Sequence, residues 1–398
     1  MTAESFRFAY EPGVLRVGEG AVADLEAEVA ATGNERALVV CGQTVGSTPA
    51  VVDPVREGLG DRLAGVFDET TPKKRLWTAI RGAERLAAAD ADAVVALGGG
   101  SSLDVAKAIA VVAATEQDAG ALGATFERTG TLPAPDALPG LVVVPTTLAG
   151  ADLSQSAGLT ATSSNGLVET DVNGGLGDPG LLPDALVYDP ALFATTPRSI
   201  LAGSAMNGFD KGIETLYARN ATPVTDGTAM RGLALLRDAL PTLADDDPAM
   251  ANIVRGIVLV QYGISRPDGL TLSVIHAFGH GLTAHSTVQQ GVAHAVVAPH
   301  TLAYLFEHVD GRRALLADAL GVDTGGSAQA VADGVIDAVE AVRDTLGLPV
   351  RFRDIDAVER SMLDAMAETT AEDSLLENAP AGLEPTVEEL RGVLQEAW

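Results

Sequence analysis

Four short apolar runs, ALVVC (37 to 41), AVVAL (93 to 97), LVVVP (141 to 145) and ALVY (185 to 188), punctuate the first half of the chain. They alternate with stretches of helical apolar spacing such as LWTAIRGAERLAAA (76 to 89) and SLDVAKAIAVVAA (102 to 114). Strands that are apolar along their whole length must be covered on both faces, and helices crossing over a parallel sheet do this. The pattern predicts a doubly wound parallel sheet. Residues 128 to 140 (RTGTLPAPDALPG) read as a Pro-rich loop, and 163 to 180 (SSNGLVETDVNGGLGDPG) as turns or a hairpin. After Pro190 the strand signals stop, and amphipathic stretches such as 226 to 243 and 327 to 345 read as helices. The expected organisation is an α/β N-terminal domain over residues 1–190 and an all-α domain over 191–398, with no internal repeat.

Charge narrows the partners. The chain carries 26 Lys plus Arg against 54 Asp plus Glu, a net charge of −28, which repels phosphate backbones and anionic membranes. No nucleic acid and no membrane are expected as partners, and no run of about 18 apolar residues is present to span a bilayer. Only four of the bases are lysines (Lys73, Lys74, Lys107, Lys211) and the other 22 are arginines. An acidic, lysine-poor surface suits molar salt, which screens self-repulsion, so a halophilic origin is expected. Cys41 is the only cysteine, and MTAESFRFAYEPG at the start has no basic segment followed by an apolar one. A cytoplasmic protein is expected.

The most specific local motif is AVVALGGGSSLDVAKAI: a buried strand, then Gly98, Gly99, Gly100, Ser101 and Ser102, then a helix carrying Asp104 and Lys107. Glycines without a Cβ let backbone N–H groups approach a pyrophosphate, and the helix N-terminus adds a positive dipole end. The bland alternative is a βα turn that merely closes tightly; its position between strand and helix favours phosphate binding. The spacing matches neither GxGxxG nor a P-loop. In PTTLAGADLS, Pro145 ends the next strand and places Thr146 and Thr147 at its carboxyl edge, where ligands of open α/β sheets bind. A helix cap is the alternative for these threonines.

GGGSSLDVAK, PTT, IHAFGH and APHTLAY together resemble the iron-containing (group III) alcohol dehydrogenase family, whose superfamily includes glycerol dehydrogenases and dehydroquinate synthases. The likeness extends from FRFAYEPGVLRVGEGAV near the start through DPGLLPDALVYDP (178 to 190) into the helical half. It implies a dinucleotide-binding domain, a helical domain, an active site in the cleft between them, and at least a homodimer. It places Asp104, Lys107, Thr146, Thr147 and Leu182 around the cofactor with the glycine cradle.

The family's metal shell is an Asp and a His four residues apart on one helix, then two later histidines. Those positions are filled here by Asn207, Lys211, His276 and Gln290. A divalent cation is held by carboxylates and neutral imidazoles, and a lysine ammonium would repel it, so Fe or Zn is not expected. Asn207, with His294 in GVAHAVVAPHTLAY and with ATPVTDGTA (221 to 229), looks most like the maleylacetate reductase branch.

All six histidines, His276, His280, His285, His294, His300 and His308, fall within 33 residues. His276 and His280, four apart, share a helix face that suits metal binding or a proton relay, with a structural hydrogen-bonded pair as the alternative. Lys211 shares a face with Asn207, and its ammonium is expected to polarise a substrate carbonyl or bind a carboxylate; an exposed lysine paired with Glu214 or Glu307 is the alternative. Gly42, after the second strand, stands where the family often has an acidic residue that repels a ribose 2′-phosphate, which leaves NAD or NADP as cofactor and favours acceptance of NADP.

The expected activity is an NAD(P)-dependent oxidoreductase acting on an alcohol or on an aldehyde, ketone or keto acid, with Asn207, Lys211, His276, His280 and His294 facing a small-molecule substrate. A lyase of the dehydroquinate synthase kind and a non-catalytic dinucleotide-binding relative are the rival readings.

Overall fold

The computed structural model describes residues 5–398. The chain forms two compact units: one holds Tyr10–Thr147 and Ala151–Thr196, the other the residues up to Ala9, Leu148–Gly150 and Pro197–Trp398.

In the first unit, β1 (Val14–Val17), β2 (Ala37–Gly42), β3 (Leu63–Thr70), β4 (Ala93–Gly98), β5 (Gly140–Pro145) and β8 (Ala185–Tyr188) pair in parallel in the order β1-β8-β5-β4-β2-β3. β4 and β5 are buried at every residue, as their unbroken apolar sequences require. Val39, Cys41, Val95, Leu97, Val142 and Val144 pack with Leu25, Val29, Val51, Val55 and Leu59 of the helices Leu25–Ala31 and Pro49–Leu59. The alternate residues Leu38, Val40, Val94, Ala96 and Val143 point the other way. They are equally buried, on the side packed by Leu76–Ala88 and Gly100–Ala114.

Two strands of this sheet, and β6 outside it (Ser156–Ala161), have no counterpart among the apolar runs. β1 (VLRV) and β3 (LAGVFDET) are the sheet's edges, half-covered and interrupted by Arg16, Asp68 and Glu69, so neither shows an apolar run. Residues 163–180 do include a hairpin strand: β6 (Ser156–Ala161) pairs antiparallel with β7 (Val172–Gly177).

From β2 the chain steps to β3 on one side, whereas β4, β5 and β8 build outward on the other. The carboxyl ends of β2 and β4, Gly42 and Gly98, therefore flank the topological switch point, where open α/β sheets bind ligands.

The second unit is helical apart from a two-residue antiparallel pair, Ser265–Arg266 with Gly269–Leu270, among the described residues. Its central helix, Arg198–Tyr217, is buried without a break from Leu201 to Tyr217 and packs against Pro223–Ala239, Met250–Gln261 and Gln290–His308. Val274–His285 lies against Gln290–His308 and Leu363–Ala371. No helix among the described residues is long and apolar enough to cross a membrane.

Candidate functional site

The α/β unit carries a glycine cradle at the end of β4. Gly98 has φ +128°, a conformation that disfavours any side chain, and its carbonyl accepts from Thr146 N at 3.0 Å, tying the turn to the end of β5. A Cβ on Gly99 would come within 3.1 Å of Thr147 Cγ2, and one on Gly100 within 3.2 Å of Ala151 Cβ. The helix Gly100–Ala114 starts here with Gly99 as its N-cap and no side chain bonded to its first N–H groups. Orphan N–H groups and the dipole's positive end at a bare, part-exposed turn form a place for an anion.

Three side chains expected at the cofactor are occupied otherwise. Ser102 Oγ is buried 2.7 Å from Thr70 Oγ1. Asp104 pairs with Lys74 at 2.5 Å and accepts from Gly158 N at 3.2 Å. Lys107 is fully buried, and its ammonium donates to the carbonyls of Ala151 (3.1 Å), Ser154 (2.5 Å) and Ser156 (3.3 Å). Burial lowers it to about 8, against the opposing pull of Asp104 and Asp152. All three brace the walls of the cradle instead of projecting from it, because an ammonium or carboxylate this deep must spend its hydrogen bonds on neighbours. Gly99, Gly100, Ser101 and Thr147 are part-exposed at the mouth, whereas Thr146 is buried. Leu182, half-buried, closes the Pro179–Leu181 turn with its N–H on Pro179 O.

Gly42 begins the short turn Gln43–Gly46, and a Cβ on Gly98 would lie 3.7 Å from Val45, so this turn borders the cradle. Beside it is a recess of about 270 Å³ lined by Gln43, Asp68, Glu69, Thr70 and Thr71. Asp68 is exposed, and Glu69 is paired with Arg81 at 2.7 Å. These carboxylates escape a reading confined to position 42, because they stand on the edge strand that shows no sequence signal.

In the helical unit, Asn207, Asp210, Lys211, Glu214 and Tyr217 recur at helical spacing and form one stripe along Arg198–Tyr217. All five are buried. Two glycines let the neighbouring helices close on this stripe. A Cβ on Gly291 would strike Gly203 O at 1.8 Å, and this approach puts Gln290 Oε1 3.3 Å from Asn207 Nδ2. A Cβ on Gly279 would strike His294 Nε2 at 2.2 Å, so only glycine leaves room for that ring.

Lys211 donates to Gly150 O at 2.8 Å and is 7% exposed, so it is not the surface lysine of the alternative reading. His276 and His294 meet edge-to-face with centroids 4.4 Å apart. His276 Nδ1 lies 2.5 Å from Glu214 Oε2, while Glu214 Oε1 accepts from His276 N (3.0 Å) and Tyr217 OH (3.1 Å). His294 Nδ1 is 3.5 Å from Asp210 Oδ2. Both Asp210 oxygens, His276 Nε2 and both His294 nitrogens are buried without a hydrogen bond.

Burial drives the charges here. It pushes Glu214 up to about 7 against its hydrogen bonds, and it raises Asp210 well above the carboxylate range, with Glu214 adding repulsion. It also holds both imidazoles well below their usual range; Lys211 and His280 add to this at His276, and His276, His280 and Lys211 at His294. His280 differs from His276 one turn away: its side chain is 49% exposed and its Nδ1 lies 2.7 Å from Asp373 Oδ2. The two histidines share a stripe but not an environment. Asp210, Glu214, Tyr217 and Asp373 are not site residues on the sequence alone; the i, i+3, i+4, i+7, i+10 spacing from Asn207 is the signal for the first three, whereas nothing in the sequence brings Asp373 to His280, 93 residues away.

Known proteins share this architecture. A 1,3-propanediol oxidoreductase structure superposes with a TM-score of 0.88 at 24% identity, covering 99% of this chain and 100% of the other. Maleylacetate reductase of Rhizobium sp. (strain MTP-10005) is 28% identical over 401 residues, covering 99% of this chain and 98% of that one. NAD-dependent methanol dehydrogenase of Bacillus methanolicus is 26% identical over 391 residues, 97% of this chain and 98% of its own length. The pattern of the iron-containing alcohol dehydrogenases matches residues 12–190, and that of the C-terminal part of the Fe-containing alcohol dehydrogenase family matches residues 201–398. With both halves matched in order, the chain is an oxidoreductase that belongs to the iron-containing alcohol dehydrogenase family.

Proposed function

We propose that the chain interconverts an alcohol and its aldehyde, ketone or keto acid by hydride exchange with NAD, with the Lys211 ammonium acting where relatives place a metal. The observation that carries this reading is a buried lysine at a family ligand position, in a chain that keeps four lysines in all. The residues present do not fit iron or zinc. At the four family positions two amides, Asn207 and Gln290, bond each other, His276 is the single imidazole, and the Lys211 ammonium repels a divalent cation; no three His, Cys, Asp or Glu among the described residues converge as metal ligands. An ammonium in a water-poor site is suited to a carbonyl oxygen that gathers negative charge as hydride arrives.

The cradle fits a dinucleotide: Gly98, Gly99, Gly100 and Ser101 would hold the pyrophosphate, and the nicotinamide supplies or takes the hydride when bound. Asp68 and Glu69 beside Gln43 oppose the two negative charges of a ribose 2′-phosphate, which favours NAD in place of the NADP suggested by Gly42. His280, oriented by Asp373 and half-exposed, is placed to exchange protons with solvent. The acidic surface suits a cytoplasm of molar salt, and the melting temperature is expected to climb between millimolar and molar KCl.

The test is oxidation of NADH and NADPH by EDTA-dialysed protein in molar KCl, against aldehydes, ketones and keto acids including maleylacetate. Turnover that survives chelation supports the reading. Turnover restored only by Fe²⁺ or Zn²⁺ overturns the role of Lys211, and NADH binding without turnover on any substrate would mark a non-catalytic relative.

A further inference from the structure

We infer that Glu214 is a positioning residue: it fixes His276 as the Nδ1–H tautomer and so makes the buried Nε2 an acceptor for the hydroxyl proton of the alcohol. The inference rests on the oxidoreductase reading for its chemistry but not for its geometry.

Glu214 is wholly enclosed, yet it is surrounded by donors. His276 N–H and the Tyr217 hydroxyl converge on Oε1, and the His276 ring stands 2.5 Å from Oε2. Those donors match the lone pairs of a carboxylate, so the ring nitrogen that faces Oε2 carries the hydrogen. The competing state holds one proton more: a neutral Glu214 acid donates to Nδ1, and His276 Nε2 is an N–H donor. Nothing accepts from that atom, and an orphaned buried N–H is the rarer and costlier defect.

The surroundings also oppose a charged ring at rest. Burial is the main opponent; Lys211 on the central helix and His280 on the ring's own helix add repulsion, and burial holds His294 on Gln290–His308 well below its usual range as well. Asp373 and the Glu214 carboxylate beside Nδ1 pull the other way. The resting ring is thus a neutral imidazole with a bare Nε2.

In alcohol oxidation the O–H bond breaks and its proton passes to Nε2. The C–H bond breaks with both electrons, which leave as hydride to the oxidised nicotinamide, and the C=O bond forms. The imidazolium produced is stabilised by the Glu214 carboxylate already bonded to Nδ1–H, as a carboxylate stabilises the imidazolium of a serine hydrolase triad. In reduction the same proton returns to the carbonyl oxygen as hydride adds to carbon.

The six histidines make the tautomer directly observable. In protein labelled with ¹⁵N-histidine, long-range ¹H–¹⁵N correlation at about pH 8.5, above the value of about 7 to which burial pushes Glu214, with His276 assigned through the His276→Gln variant, is expected to show Nδ1 protonated and Nε2 bare. A wild-type ring with Nε2–H, or a doubly protonated ring, overturns the inference and needs no variant to do so.

Glu214→Gln keeps the shape but lets an amide N–H face Nδ1. The ring is expected to shift toward Nε2–H, with kcat falling about tenfold to a hundredfold while the KM for NADH holds. A folded Glu214→Gln enzyme with wild-type kcat overturns the positioning role and leaves the oxidoreductase reading standing. The expected spectrum in a protein that turns over no carbonyl compound does the reverse: it upholds the tautomer assignment and strikes the function.

Discussion

Two of the four lysines are buried, one in each unit, and they are buried in opposite ways. Lys107 has no exposed surface, and three carbonyls of the Ala151–Ser156 segment receive its ammonium, with Asp104 and Asp152 near enough to favour its charge. Lys211 keeps 7% exposure and donates to Gly150 O at 2.8 Å, but its neighbours on the stripe, Asp210, His276 and His294, hold buried polar atoms that have no hydrogen bond. A charge that is fully coordinated stabilises a fold, whereas polar groups left uncoordinated in the interior are tolerated chiefly where chemistry uses them. Sequence context does not separate the two, since each is a lysine in a largely apolar helix.

The largest contrast is expected from removing each ammonium. Lys107→Met leaves three buried carbonyls without their donor, a loss of about 3 kcal/mol at roughly 1 kcal/mol each. The melting temperature should fall by about 6–12 °C, and activity should follow the fraction folded. Lys211→Ala should lower kcat by more than about tenfold with a smaller fall in melting temperature than Lys107→Met, since Gly150 O loses one donor where Lys107 serves three carbonyls. Calorimetry and steady-state rates on both variants decide it, and two variants that fail in the same way would erase the distinction.

A second contrast lies in how the two regions answer to pH. Asp210 holds its proton far above the ordinary 3.8, so above that value the native state binds a proton that the unfolded chain has released, and stability falls as pH rises. Lys107 runs the other way. Native at about 8 against 10.5 unfolded, it gives the unfolded state the extra proton between those values, and stability rises with pH there. Asp210→Asn, which mimics the neutral acid, should therefore gain on the wild type by a few degrees of melting temperature on going from about pH 5 to about pH 8. An unchanged difference across that range would mean that Asp210 is ionised in the native state.

The sheet's centre and the cradle were legible because each is written in consecutive residues: unbroken apolar strands, then three glycines opening a helix. The edges were not, because β1 and β3 are half-wetted and interrupted by charge, so their periodicity resembles loop. The stripe on Arg198–Tyr217 was legible only in part. A helix buried on all sides from Leu201 to Tyr217 has no wet face against which a polar stripe stands out, so Asn207 and Lys211 are found by resemblance, while Asp210 and Glu214 enter only as partners for Lys211 and not as partners of His294 and His276. His276 and His280 share a spacing, but packing alone determines that one ring is enclosed by Glu214 and His294 and the other half-exposed beside Asp373.

The smallest effect concerns the recess at the edge of the sheet, where folding supplies what position 42 lacks. Glu69 spends part of its charge on Arg81, whereas Asp68 is exposed beside Gln43 and Gly46, so under the proposed cofactor placement Asp68 would be the stronger obstacle to a 2′-phosphate. At surface dielectric, one such repulsion is worth about 1 kcal/mol, or roughly fivefold in affinity. Asp68→Asn should therefore tighten NADPH several-fold in fluorescence titration while leaving NADH nearly unchanged, and molar KCl should shrink the difference by screening it. Equal shifts for both cofactors would place Asp68 away from the ribose, and the preference for NAD would then need another source within the α/β unit.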